Sequence, residues 1–160
     1  MKRTILLITT TVFLWLGLSL STPAMKNYKC LIQLTSYEGE GAYVVVSLIN
    51  PEGKYEKTLR VWGDDSEWYY EMTSWWKFYG KKRANIDGVT GASISGGGRT
   101  VSVIKIDPTK IDKGYKIRFE TAVEDKGYHT KDVEFDLTTQ NLQRKFSGKG
   151  FVRYVRFLPQ

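Results

Sequence analysis

The chain has 160 residues, with 24 Lys and Arg against 17 Asp and Glu, one His and one Cys. That length makes one ordinary domain, and a 41% hydrophobic content is enough to build a core and to exclude a disordered tail. A single Cys excludes a disulfide framework and Cys-rich metal or iron–sulfur centres, and a single His excludes multi-histidine zinc and haem sites, which leaves hydroxyls, carboxylates or a carried cofactor for any hard chemistry.

Lys2 and Arg3 precede an apolar run from Ile5 to Leu20, and Ser21-Thr22-Pro23-Ala24 follows it. Basic, apolar, then small residues is the order of a secretory signal, so residues 1–24 read as a signal peptide cleaved after Ala24. An uncleaved anchor is the rival reading, with a run at the short end for spanning a bilayer. Cys30 lies too far past the run to accept a lipid and reads as a small buried residue of a first strand. Residues 25–160 then form one exported, still basic domain. Its charge suits anionic surfaces or acidic partners, and export leaves it no nucleic acid to meet.

Tyr28–Tyr37 and Ala42–Ile49 read as strands. The turn Asn50-Pro51-Glu52-Gly53 joins the second to Tyr55–Trp62 as a hairpin. In Glu67–Tyr79 the period changes: Met72, Trp75, Trp76 and Tyr79 fall at helical spacing, with Ser66 as a cap. Strands resume at Arg99–Ile106, Tyr115–Val123, Asp132–Leu137 and Phe151–Leu158. In Tyr115–Val123, Lys116, Arg118 and Glu120 alternate with apolar residues and predict one solvent-facing side. Phe151–Leu158 carries apolar residues on both faces, which leaves its inward face open. About seven strands at hairpin-like spacing predict an all-β antiparallel sandwich with one short helix.

Between Gly80 and Arg99 the chain is polar and glycine-rich. Asp87-Gly88-Val89-Thr90-Gly91-Ala92-Ser93 lacks the strand and helix context of a dinucleotide fingerprint and the Gly-Lys-Ser/Thr of a P-loop. It resembles the sequence Asp-x-x-Ser/Thr-Gly-Ala-Ser/Thr at which the extracytoplasmic flavin transferase attaches FMN, as in the flavin subunits of sodium-pumping quinone reductases. Carried over by position, Asp87 is the leading acid, Thr90, Gly91 and Ala92 fill the middle, and Ser93 is the acceptor hydroxyl where Thr is commoner. The resemblance implies a covalent phosphodiester to FMN derived from FAD. Glycines at 88 and 91 allow close backbone approach, and Gly96–Gly98 suggest a mobile loop.

On a larger scale, the tryptophan region from Trp62 to Trp76, the acceptor-like loop, Ile106-Asp107 and the run from Gly114-Tyr115 through Glu120, Ala122 and Glu124 resemble a family of predicted periplasmic proteins, domain of unknown function 2271. That resemblance implies an immunoglobulin-like sandwich and an association with PepSY-type membrane redox proteins. It points to an electron carrier modified by the transferase rather than to an enzyme. The alternative is a periplasmic sandwich that binds a glycan or protein without a cofactor.

Elsewhere, the aromatic block of Trp62, Trp68, Trp75, Trp76, Tyr69, Tyr70 and Tyr79 reads chiefly as core packing. Lys81-Lys82-Arg83 reads as a solvated charge run beside the loop. Asp64, Asp65, Glu67, Glu120, Glu124 and Asp125 match no calcium-binding spacing. His129 has no evident catalytic partner.

Overall fold

Two sheets pack face to face in the computed structural model, which describes residues 23–159. The expected signal segment therefore lies almost wholly outside the described residues. Lys26–Leu34 (β1), Tyr43–Ile49 (β2), Tyr55–Trp62 (β3), Thr90–Gly91 (β4) and Arg99–Ile106 (β5) precede Lys116–Val123 (β6), Gly127–Asp136 (β7), Lys145–Ser147 (β8) and Val152–Pro159 (β9). One sheet has the order β5-β1-β9-β8 and the other β4-β3-β2-β6-β7. All neighbours are antiparallel except β3 and β4. No helix among the described residues is long and apolar enough to cross a membrane.

The all-β sandwich agrees with the strand pattern, with nine strands among the described residues where about seven were expected. The β2–β3 turn forms as Pro and Gly dictate: Gly53 N donates to Asn50 O at 2.9 Å, with Gly53 at φ +79°. Alternate side chains of β1, including Cys30, enter the core between the sheets, where burial raises the thiol pKa. On β9 Val155 and Phe157 are buried, which decides its inward face, and a register shift opposite Gln33 and Leu34 turns Val152 inward as well.

Two expectations fail for the same reason. The helical stretch is divided into a 3-10 turn, Ser66–Glu71, and an α-helix, Thr73–Lys82 (α1), with Met72 outside helical geometry between them. Asp65 rather than Ser66 caps the turn, accepting from Glu67 N at 3.0 Å; a carboxylate there also opposes the positive end of the turn. The break lets Tyr69, Met72 and Trp75 all face the five-stranded sheet, where they join Val45, Val61 and Ala122 in a second core. Trp75 Nε1 donates to Thr58 Oγ1 at 2.9 Å. Consequently the outer side of β6 is not wet. Arg118 and Glu120 are buried beneath this layer, because an aromatic stripe covers them and pairing replaces their water. Arg118 Nε donates to Glu134 Oε2 at 2.5 Å and its guanidinium lies over the Tyr55 ring.

Asp132 ties the sheets together. Its buried carboxylate accepts from Thr121 Oγ1 on β6 and from the backbone N–H groups of Lys149, Gly150 and Val152, at 2.6 to 2.9 Å. Gly148 and Gly150 leave no space for a Cβ beside it. His129 packs edge-on against Phe151 at 5.1 Å in this region, a structural contact.

Candidate functional site

The glycine-rich segment is not slack. A 3-10 turn over Asp87–Val89 leads into β4, whose Thr90 and Gly91 pair in parallel with Val61 and Trp62. Gly63 N donates to Gly91 O at 2.6 Å. Three residues later, Ala42 and Ile94 exchange both backbone hydrogen bonds, at 2.7 and 3.0 Å. Gly97 N then donates to Thr35 O at 2.7 Å, and Gln33 Nε2 donates to Gly97 O at the same distance. Mobility was expected of Gly96–Gly98, but the glycines serve close approach. A Cβ on Gly96 would collide with Tyr37 backbone, and Gly97 has φ +71°.

Ala92 and Ser93 are the exposed crest between these two anchored points. Gly41 runs directly beneath, so that a Cβ there would overlap Ser93 Oγ. The hydroxyl is therefore presented on a fixed backbone with solvent on its outer side. Thr90 is engaged differently: its Oγ1 donates to Ile86 O at 2.8 Å. Asp87 is exposed, and its N–H donates to Asn85 Oδ1 at 2.9 Å.

Ser93 borders two concavities of opposite charge. One, of about 120 Å³, holds Tyr43, Trp68 and the carboxylates of Glu40, Glu71 and Glu124. The other is an open groove of about 420 Å³ between the β3 and β5 edges of the two sheets, with Arg60, Trp62 and Arg99 beside Gly91, Ala92 and Ser93. The groove falls within the size range of small-molecule sites, roughly 300–1,000 Å³, and the smaller pocket does not. Asp87 and Thr90 line neither.

Arg60 is the residue that sequence reasoning missed. Its guanidinium lies 5.4 Å from the Trp62 ring centroid, has no ion pair among the described residues, and keeps its Nε buried without a hydrogen-bond partner. Burial lowers its pKa. Gly91 has no side chain where Nη2 sits, since a Cβ would come within 2.8 Å. The only signal in the sequence is a lone cation between Leu59 and Val61. Arg99 lies beside the loop, held by Gln33 Oε1 at 2.8 Å and Tyr154 Oη at 3.2 Å. Lys81 and Arg83 are exposed and line neither concavity.

Trp68 and Tyr70 are the exposed members of the aromatic block, while Trp62, Tyr69 and Trp75 are buried. Core packing thus accounts for most of it. Glu120 and Glu124 do not act together. Glu124 lies past the end of β6 at the small pocket. Glu120 is fully buried, takes a hydrogen bond from Tyr128 Oη, and leaves Oε1 unpartnered. Among the described residues no group of three His, Cys, Asp or Glu side chains is placed to hold a metal ion.

Desolvation pushes the Glu120 pKa up to about 7, against the Tyr128 hydrogen bond, which lowers it. The folded state therefore holds this proton more tightly than the unfolded chain. Its contribution to stability is complete below the ordinary carboxylate pKa and is lost as pH rises to about 7. Glu120→Gln is expected to remove up to about 3 kcal/mol of pH dependence between pH 5 and pH 8. Urea midpoints at the two pH values check this; an unchanged pH slope in the variant would contradict it.

A family model described as "Predicted periplasmic protein (DUF2271)" matches residues 25–154. No curated protein and no solved structure matches the chain.

Proposed function

The chain belongs to the DUF2271 family of predicted periplasmic proteins, and on that premise we propose that it is an extracytoplasmic carrier of FMN, joined through a phosphodiester to Ser93. The observation that carries the reading is the position of Ser93: an exposed hydroxyl on an anchored crest, beside a groove containing the Arg60 guanidinium, which has no ion pair among the described residues.

Attachment is an exchange at phosphorus. Ser93 Oγ bonds to the FMN phosphorus of FAD, the bond to the AMP phosphate oxygen breaks, and AMP leaves. The hydroxyl proton passes to a base, which with the metal belongs to the flavin transferase. The new phosphodiester is an anion. Arg60 and Arg99 offset its charge, whereas the carboxylates of the smaller pocket repel it, so the groove rather than the pocket receives the cofactor. The bound flavin supplies the redox chemistry. Trp62 and Arg60 form one wall of the groove and limit the positions open to the ring. The tether keeps the cofactor with a protein whose surroundings would dilute any free flavin. Electrons pass to or from a membrane redox protein of the PepSY type.

Coexpression with the transferase tests the reading. After denaturing electrophoresis, flavin fluorescence should migrate with the polypeptide, and only when the transferase is present. A colourless band with an active transferase would overturn it. In the labelled protein, Arg60→Met should lower the midpoint potential by on the order of 30 mV, because a cation near the ring favours the added negative charge. A redox titration against the unsubstituted protein measures this, and an unchanged potential would place the ring away from Arg60.

A further inference from the structure

The two outer faces of the sandwich are treated differently. The five-stranded sheet is covered by the 3-10 turn and α1, while nothing in the described chain covers the four-stranded sheet. Its outward residues follow from strand register, since Tyr28, Cys30, Ile32 and Leu34 of β1 point inward. One outward row holds Val103, Lys29 and Leu158, and the next holds Val101, Leu31 and Arg156, with Lys145 beyond it on β8. Arg99 and Lys105 close the β5 side at either end. Val101 is 52%, Val103 45% and Leu158 37% exposed.

The register places no carboxylate on this face, and the four ion pairs among the described residues all lie elsewhere. The result is an aliphatic cluster of Val101, Val103 and Leu31, with Lys29 between Val103 and Leu158 and with Lys105, Arg99, Arg156 and Lys145 around them. It spans about 14 Å across the strands and about 20 Å along them. Solubility alone does not require exposed aliphatic side chains interleaved with a field of cations.

We infer that this uncovered sheet face docks the protein on an anionic lipid surface. Charge complementarity selects a negative partner. The arrangement suits lipid better than an acidic peptide: the aliphatic side chains enter the interfacial layer while the long Lys and Arg side chains reach the phosphates around them. The face is an open sheet surface rather than a groove that would grip a peptide. The inference does not depend on Ser93 carrying a cofactor.

The test uses the exported protein, with intact mass fixing its N-terminus. It is sedimented with vesicles of phosphatidylcholine alone or containing phosphatidylglycerol, at low and high salt. Binding is expected on the anionic vesicles, weaker by at least about tenfold on neutral ones, and lost at high salt. Lys29→Glu/Lys105→Glu/Arg156→Glu should weaken it by at least about tenfold, while Lys54→Glu/Lys77→Glu/Lys113→Glu, an equal charge change on exposed positions elsewhere, should leave it within about threefold. Val101→Ser/Leu158→Ser should weaken it without altering net charge, and thermal melts report that each variant is folded. If the first triple fails to fold, Lys29→Gln/Arg156→Gln takes its place. Equal binding to both vesicle types, equal loss in the two triples, or no binding at all would overturn the inference.

Discussion

Ser93→Ala is expected to abolish flavin attachment completely, while Ser93→Thr retains it. A phosphodiester needs an oxygen on the side chain, and the neighbouring hydroxyls are poor substitutes. Thr90 Oγ1 is committed to Ile86 O and faces neither concavity. Ser95 is exposed but lies beyond the Ala42–Ile94 bridge, which fixes the strand direction between the two serines. A shift of the acceptor by two residues would have to break that bridge. Gly41→Ala provides an independent check. Its Cβ would overlap Ser93 Oγ, so labelling should fall although the acceptor is intact. In-gel fluorescence after coexpression with the transferase measures all three variants. Undiminished labelling of Ser93→Ala would relocate the site and contradict the account.

The largest loss of stability is expected from Asp132→Ala, about 3–5 kcal/mol, the range for leaving buried charged or hydrogen-bonded partners uncompensated. The substitution removes the acceptor for the Gly150 and Val152 N–H groups and the Thr121 hydroxyl together, while Lys149 N keeps the Asp132 carbonyl at 3.0 Å. Those donors belong to β6 and to the segment entering β9, so the loss is felt in both sheets. The neighbouring glycines leave the carboxylate enclosed, which limits replacement by water. For a domain with ordinary net stability of 5–15 kcal/mol this is a large fraction. Thr121→Val, which removes one donor and leaves the backbone bonds in place, should cost about 1–2 kcal/mol. Urea denaturation at constant pH ranks the two. A loss below about 1 kcal/mol in Asp132→Ala would show that the loop between β8 and β9 rearranges to satisfy its own donors.

Local chemistry was legible wherever it decided the structure. Tyr55–Trp62 and Arg99–Ile106 have the bounds that alternation and flanking turns suggest, and Asn50–Gly53 forms the turn its Pro and Gly favour. Strands set by tertiary pairing were not legible. Thr90–Gly91 and Lys145–Ser147 are too short to show a period, and exist because β3 and β9 offer free edges. The polar alternation of β6 misled for a related reason: the pattern does not reveal that Tyr128 and Glu134 supply partners for Glu120 and Arg118 beneath the aromatic layer. At the candidate site, Ser93 stands out in the sequence through the resemblance of Asp87–Ser93 to an acceptor motif. Arg60 could not, because it lies far upstream and only the parallel β3–β4 pairing brings it beside the loop. Nor does composition distinguish a tied glycine run from a loose one; the partners on Gln33, Thr35 and Tyr37 do.

The most direct test is the intact mass of the protein exported by its native host with the flavin transferase active there. The account predicts a chain heavier by one FMN less a water than the unmodified polypeptide with the same N-terminus, with the added mass on the peptide containing Ser93. An unmodified mass under those conditions would contradict it.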